Sequence, residues 1–118
     1  MKMRKLGSQG LPVSEMGLGC MGMDHGYGKP VDRQAMTTLI HKAIELGCNL
    51  FDTAPIYGFE NEELLGNTLK DHRDQVVIAT KFGVLDMELV DGQPVPVLDS
   101  SPASIREQLD GSLQRLQT

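Results

Sequence analysis

The chain has 118 residues, 40% of them hydrophobic and 23% charged, with no Trp, three Phe, two Tyr and a formal net charge of −5. That length allows one domain at most, and an acidic balance without a basic patch argues against nucleic acid as the main partner. No apolar run approaches the ~20 residues of a membrane span, and Gly7–Ser8–Gln9–Gly10 stands where a signal peptide needs an apolar stretch, so no membrane partner and a cytoplasmic location are expected.

Residues 2–6 and 11–14 flank that Gly-bounded turn and read as a β-hairpin. Residues 16–20 read as a first strand, in which Gly17 and Gly19 permit close backbone approach. A glycine-rich loop follows over 21–30. Asp32 is the expected N-cap of a first helix. Its inner face is Met36, Leu39, Ile40, Ala43 and Ile44, and Gly47 stops it. Residues 48–51 form a short apolar strand closed by Asp52, of the kind buried on both faces.

Asn61 is the expected N-cap of a second helix, with Glu62 and Glu63 in its first turn, where the helix dipole favours negative charge. Leu64, Leu65, Thr68 and Leu69 form its inner face. After a polar loop over 71–75, the β-branched run 76–80 is the third strand, closed by Lys81. Asp91–Gly92 between 87–90 and 93–95 predicts a hairpin, which would either wall a pocket or form an exposed excursion. Ser101–Pro102 opens a third helix with the apolar stripe Ile105, Leu109, Leu113 and Leu116. Cys20 and Cys48 fall in predicted strands and read as buried free thiols; without neighbouring His they make a poor metal site.

After the hairpin the order is β-α-β-α-β-α, which predicts parallel strands with right-handed crossovers. Two closed architectures use such units, a doubly wound sheet and a (β/α)8 barrel. Gly17–Leu18–Gly19–Cys20–Met21–Gly22 matches Gly-x-Gly-x-x-Gly, but about ten loop residues follow where a phosphate loop opens a helix directly. In either architecture the strand C-termini share one rim. Asp52, Tyr57 and Lys81 lie at or just past two of those ends, so a carboxylate, a phenol and an ammonium can converge there as a proton-transfer site.

Phe51–Asp52–Thr53–Ala54–Pro55–Ile56–Tyr57–Gly58 resembles the Asp-Thr-Ala-x-x-Tyr-Gly signature of the aldo-keto reductases. Leu18–Gly19–Cys20–Met21–Gly22–Met23, Glu63–Leu64–Leu65–Gly66 and Val77–Ile78–Ala79–Thr80–Lys81 resemble that family's first strand and loop, second helix and third strand, in the right order. The resemblance implies a (β/α)8 barrel closed at its base by an N-terminal hairpin. Here it would be incomplete: residues 1–15 make the hairpin and 16–118 three β/α units.

It further implies a hydride transfer from NADPH to a small aldehyde or ketone. Three of the family's four catalytic groups map to Asp52, Tyr57 and Lys81. Tyr57 would be the general acid; a phenol is a reluctant donor at neutral pH, and a neighbouring Lys81 ammonium would favour its ionised form. Asp52 would hold Lys81 charged and in place. The fourth group, a histidine after the fourth strand, matches none of His25, His41 or His72, and the last two read as surface residues. Gly22, Met23 and Asp52 match positions lining the nicotinamide end of the cofactor. Most contacts to the cofactor phosphates come from the family's second half-barrel, so a chain ending at Thr118 is expected to be inactive alone. Two alternatives belong to other classes: a non-catalytic nucleotide-binding or regulatory module on this scaffold, and a truncated fragment that self-associates through open sheet edges.

Overall fold

The computed structural model describes residues 1–24, 28–29 and 32–118. The loop expected over 21–30 therefore lies partly outside the described residues, as does His25. Strands β1 (Met3–Leu6) and β2 (Leu11–Ser14) pair antiparallel, with Leu6 opposite Leu11. Asn49 clips this hairpin to the main sheet. Its side chain accepts from the Ser14 amide at 2.6 Å and donates to the Pro12 carbonyl at 3.3 Å, and its own amide donates to Ser14 Oγ at 3.0 Å.

Strands β3 (Leu18–Gly19), β4 (Leu50–Asp52) and β5 (Val77–Ala79) form a parallel sheet in that order. Each is shorter than its predicted run, and Cys20 and Cys48 fall just outside the strands. Both remain buried free thiols, as expected. The register sets Leu18, Phe51 and Ile78 in one row and Gly19, Asp52 and Ala79 in the next. Side chains alternate faces along a strand. Phe51, Leu18 and Ile78 therefore turn to the helices, where they join a core of Cys20, Met23, Ile40, Leu64, Leu65 and Leu69. Asp52 turns to the opposite, open face.

Helix α1 (Arg33–Glu45) begins at the predicted N-cap, where Asp32 accepts from the Ala35 amide at 2.9 Å. Of its expected inner face, Ile40 is buried, whereas Leu39 remains exposed. Helix α2 (Phe59–Leu69) starts before the expected Asn61 cap, because Gly58, at φ +108°, leads straight from a 3-10 turn over Pro55–Tyr57 into the helix. Asn61 lies inside the first turn and is fully buried. The predicted face Leu64, Leu65, Thr68 and Leu69 is buried as read. The polar loop after it is a 3-10 turn, Lys70–Gln75.

Strands β6 (Val84–Val90) and β7 (Gln93–Leu98) form the predicted hairpin, longer than its sequence signal. Asp91 and Gly92 both adopt positive φ, as a two-residue hairpin turn of this type requires. Helix α3 (Pro102–Leu116) opens at Ser101–Pro102 as predicted, with Ser101 capping it. Its predicted apolar stripe is not its packed face: Leu109 and Leu113 are 50% and 40% exposed, and only Leu116 of the four is buried. The face toward α2 carries Ser112 and Arg115 instead, because the two helices touch backbone to backbone at Gly66.

A Cβ at Gly66 would lie 2.3 Å from the Arg115 carbonyl oxygen and 2.9 Å from Leu116 Cα. Gly66→Ala is therefore expected to destabilise the chain by about 1–3 kcal/mol, since backbone at both contact points has to move. Urea denaturation measures this. An unchanged midpoint would show that α2 and α3 separate without penalty.

Among the described residues neither β3 nor β5 carries a further strand on its outer edge. Unpaired parallel edges are templates for another chain. Sedimentation is expected to show concentration-dependent association, with loss of ordered structure at low micromolar concentration. A monodisperse monomer with a cooperative thermal transition would mean that the three-stranded unit closes its own core.

Candidate active site

Two backbone features aim the site. The ends of β4 and β5 lie side by side, and the residues that follow them turn toward each other. The Thr53 amide donates to the Ala79 carbonyl at 2.8 Å, extending the ladder one step past Asp52. The chain then coils through the Pro55–Tyr57 turn, with the Tyr57 amide on the Ala54 carbonyl at 3.1 Å. That turn brings Tyr57 back over the strand ends.

Lys81 Nζ donates to Asp52 Oδ1 at 2.5 Å and to the Thr53 carbonyl at 2.9 Å. The same nitrogen stands 5.3 Å from the centroid of the Tyr57 ring. The structure thus brings together Asp52, Tyr57 and Lys81. Both charged side chains are about half exposed, 46% for Lys81 and 50% for Asp52. An ion pair this wet contributes little to stability; its consequence is positional. Partial burial by itself would lower the Lys81 pKa, but the hydrogen bond and charge of Asp52, followed by those of Tyr57, outweigh it and hold it above the usual lysine value. Lys81 is therefore a fixed ammonium at neutral pH.

Close by, burial chiefly, with the charges of Asp52 and Cys48 adding to it, pushes the Cys20 thiol up to about 12. A neutral thiol is a poor nucleophile, so Cys20 is packing. Met23 is 3% exposed, with its side chain in the core, so it offers a ligand its backbone. Gly22 beside it is exposed. His41 and His72 pack edge-on at 6.0 Å between α1 and the Lys70–Gln75 turn. His72 is half-buried there, not a plain surface residue, and its Nδ1 is enclosed without a hydrogen bond among the described residues.

The root of the β6–β7 hairpin sits against the Pro55–Tyr57 turn. A small concavity of about 90 Å³, lined by Ala54, Pro55, Ile56, Lys81, Phe82 and Val84, adjoins the ammonium there. A broader one of about 570 Å³ lies on the far side of that turn, against α3, and does not reach the ion pair.

Sequence reading missed the groups that hold the site from behind. Asn61 and Glu62, consecutive in α2, are both fully buried. Thr53 Oγ1 donates to Asn61 Oδ1 at 2.7 Å, and Thr80 Oγ1 donates to Glu62 Oε1 at 2.7 Å. Arg115 Nε donates to Glu62 Oε2 at 2.6 Å. A signal was present: Asn61 is four residues before Leu65, and Glu62 is three before it and seven before Leu69. Helical period places both on the inner face.

The sequence model of the aldo/keto reductase family matches residues 15–118. The chain belongs to the aldo/keto reductase family. A curated relative from Glycine max, Probable aldo-keto reductase 1, is 40% identical over 114 residues, covering 95% of this chain and 32% of that protein. An aldo-keto reductase from Bacillus halodurans, solved in its holo form, superposes with a TM-score of 0.82 at 37% identity, over 100% of this chain and 37% of its own. A solved protein from Pseudomonas aeruginosa, assigned to the aldo-keto reductases, gives 0.80 at 42% identity, over 98% and 43%. This aldo/keto reductase chain spans about a third of the curated relative it matches. Among the described residues, the three parallel strands and their flanking helices form no closed barrel.

Proposed function

We propose that this chain supplies the proton-transfer part of an NADPH-dependent oxidoreductase that reduces small aldehydes or ketones to alcohols. The observation that carries the reading is the Lys81 ammonium, held on the Asp52 carboxylate at 2.5 Å and placed beside the Tyr57 ring. Bound NADPH would supply the hydride. Tyr57 gives its phenolic proton to the carbonyl oxygen as negative charge develops there, a task for a positioned general acid. Lys81 stabilises the phenolate left behind. Asp52 keeps Lys81 charged and in reach of the phenol.

The residues present fit the nicotinamide end of such a cofactor. Exposed Gly22 and the backbone of buried Met23 follow the end of β3, and the half-exposed Asp52 carboxylate ends β4 beside it. Two cations on this side are already engaged, Lys81 by Asp52 and Arg115 by Glu62. His41 and His72 pack on each other between α1 and the Lys70–Gln75 turn, which leads into the start of β5, the end opposite Lys81.

The reading is tested by grafting residues 1–118 in place of the matching segment of a solved aldo-keto reductase and following aldehyde-dependent NADPH oxidation. Turnover is expected. A folded graft that binds NADPH without turnover would instead support a non-catalytic nucleotide-binding or regulatory module. The 118-residue chain by itself is expected to bind NADPH more weakly than about 100 µM, since cofactor affinity without phosphate contacts is poor. A sub-micromolar constant in a fluorescence titration would reveal an anion site elsewhere in the chain.

A further inference from the structure

We propose that Asn61 and Glu62 are positioning residues: the first turn of α2 braces both strand ends from behind and so fixes the Asp52–Lys81 pair. The inference rests on reading that pair as part of the proton-transfer site. It concerns geometry alone and can fail independently of that reading.

The two braces are matched. Thr53 directly follows Asp52, and Thr80 directly precedes Lys81. Each threonine hydroxyl is anchored on a neighbouring α2 residue at 2.7 Å. Lys81 in turn donates to the Thr53 carbonyl, so the ammonium spans from one braced loop to the other. A change in the separation of the two loops therefore acts directly on the lysine.

The anchors are themselves immobilised. The Asn61 amide donates to the Cys20 carbonyl at 2.9 Å and to Asp24 Oδ2 at 3.0 Å, tying in the end of β3. Glu62 is held by Arg115, reaching in from the last turn of α3. Asn61, Glu62 and Thr53 are all fully buried. A buried carboxylate is costly unless its oxygens are paired, and here both are used, one by Thr80 and one by Arg115.

This arrangement explains why the first turn of α2 buries two polar residues side by side. A helix that served only as packing would place apolar side chains there. Side chains held by their own partners keep a functional group within a fraction of an ångström of its working position.

The test is the exchange of the Lys81 ammonium protons with water, read by nitrogen NMR at mildly acidic pH on the 118-residue chain, held well above the low micromolar range in which ordered structure is expected to be lost. The signal is assigned by its loss in Lys81→Arg. Two acceptors should make this ammonium exchange slowly in the wild-type chain. Thr80→Val removes one brace at nearly constant volume and leaves the Glu62–Arg115 pair in place. It is expected to accelerate exchange several-fold, and Thr80→Ser to restore the slow rate. Thr53→Val tests the Asn61 arm in the same way, and circular dichroism identifies which variants are folded. An unchanged rate in either folded valine variant overturns the brace. Failure of the serine variant to restore slow exchange does so too, as does a wild-type Lys81 that exchanges as fast as the exposed lysines.

Discussion

Tyr57→Phe, made in a complete barrel carrying this segment, is expected to lower carbonyl reduction by about 10²–10⁴-fold, the usual contribution of a positioned proton donor. NADPH affinity should stay within a few-fold, because the hydroxyl is lost and the ring stays. The ring rests beside Lys81, and Phe preserves that contact. Lys81→Met is expected to lose activity by a different route: it removes the charge that stabilises the phenolate, and it leaves Asp52 without its 2.5 Å partner. Steady-state kinetics with one aldehyde at saturating NADPH measures both. Full turnover by Tyr57→Phe would remove Tyr57 from the acid role and leave the triad a structural cluster.

Arg115→Met is expected to have the largest effect on stability. It leaves the fully buried Glu62 carboxylate with the Thr80 hydroxyl on one oxygen and nothing on the other. Removing one partner of a buried ion pair costs about 3–5 kcal/mol, because the remaining charge is uncompensated. Domains of ordinary size have only about 5–15 kcal/mol in total. Arg115 also covers the Phe59 ring at 4.2 Å, so some packing is lost with the charge. Replacing Glu62 and Arg115 together by apolar residues should recover most of the loss, since no buried charge then remains. Urea denaturation of the two single variants and the double variant tests this as a cycle. A single Arg115→Met variant with the wild-type midpoint would show that water reaches the Glu62 carboxylate.

The elements and the reacting groups were legible in the residues themselves. Asp32 caps the first helix, Ser101–Pro102 opens the third, and Asp91–Gly92 turns the hairpin it signals. These are local effects of side-chain hydrogen bonding and backbone strain, which need no neighbours to act. Asp52 and Lys81 were readable as a pair because parallel strands place their C-termini on one rim. The signature around Tyr57 carried the family, and the match over residues 15–118 shows it.

What tertiary structure decided was which polar and apolar residues turn inward. Asn61 reads as a cap, but Gly58 starts the helix earlier and frees the amide for Thr53, Cys20 and Asp24. Glu62 reads as a first-turn acid that the helix dipole favours, but the approach of α3 at Gly66 buries it and supplies Arg115. Leu109 and Leu113 read as the packed stripe of α3, yet that same backbone contact rotates the helix so that Ser112 and Arg115 face α2. Leu50 and Ile78 are apolar residues of two short neighbouring strands, and neither strand alone says which face each takes. The strand register separates them, pairing Ile78 with Phe51 toward the helices and Leu50 with Val77 on the other face. Periodicity within one element gives its faces; only contact between elements determines which face is buried, and here a single glycine in α2 and a charge pair determined it.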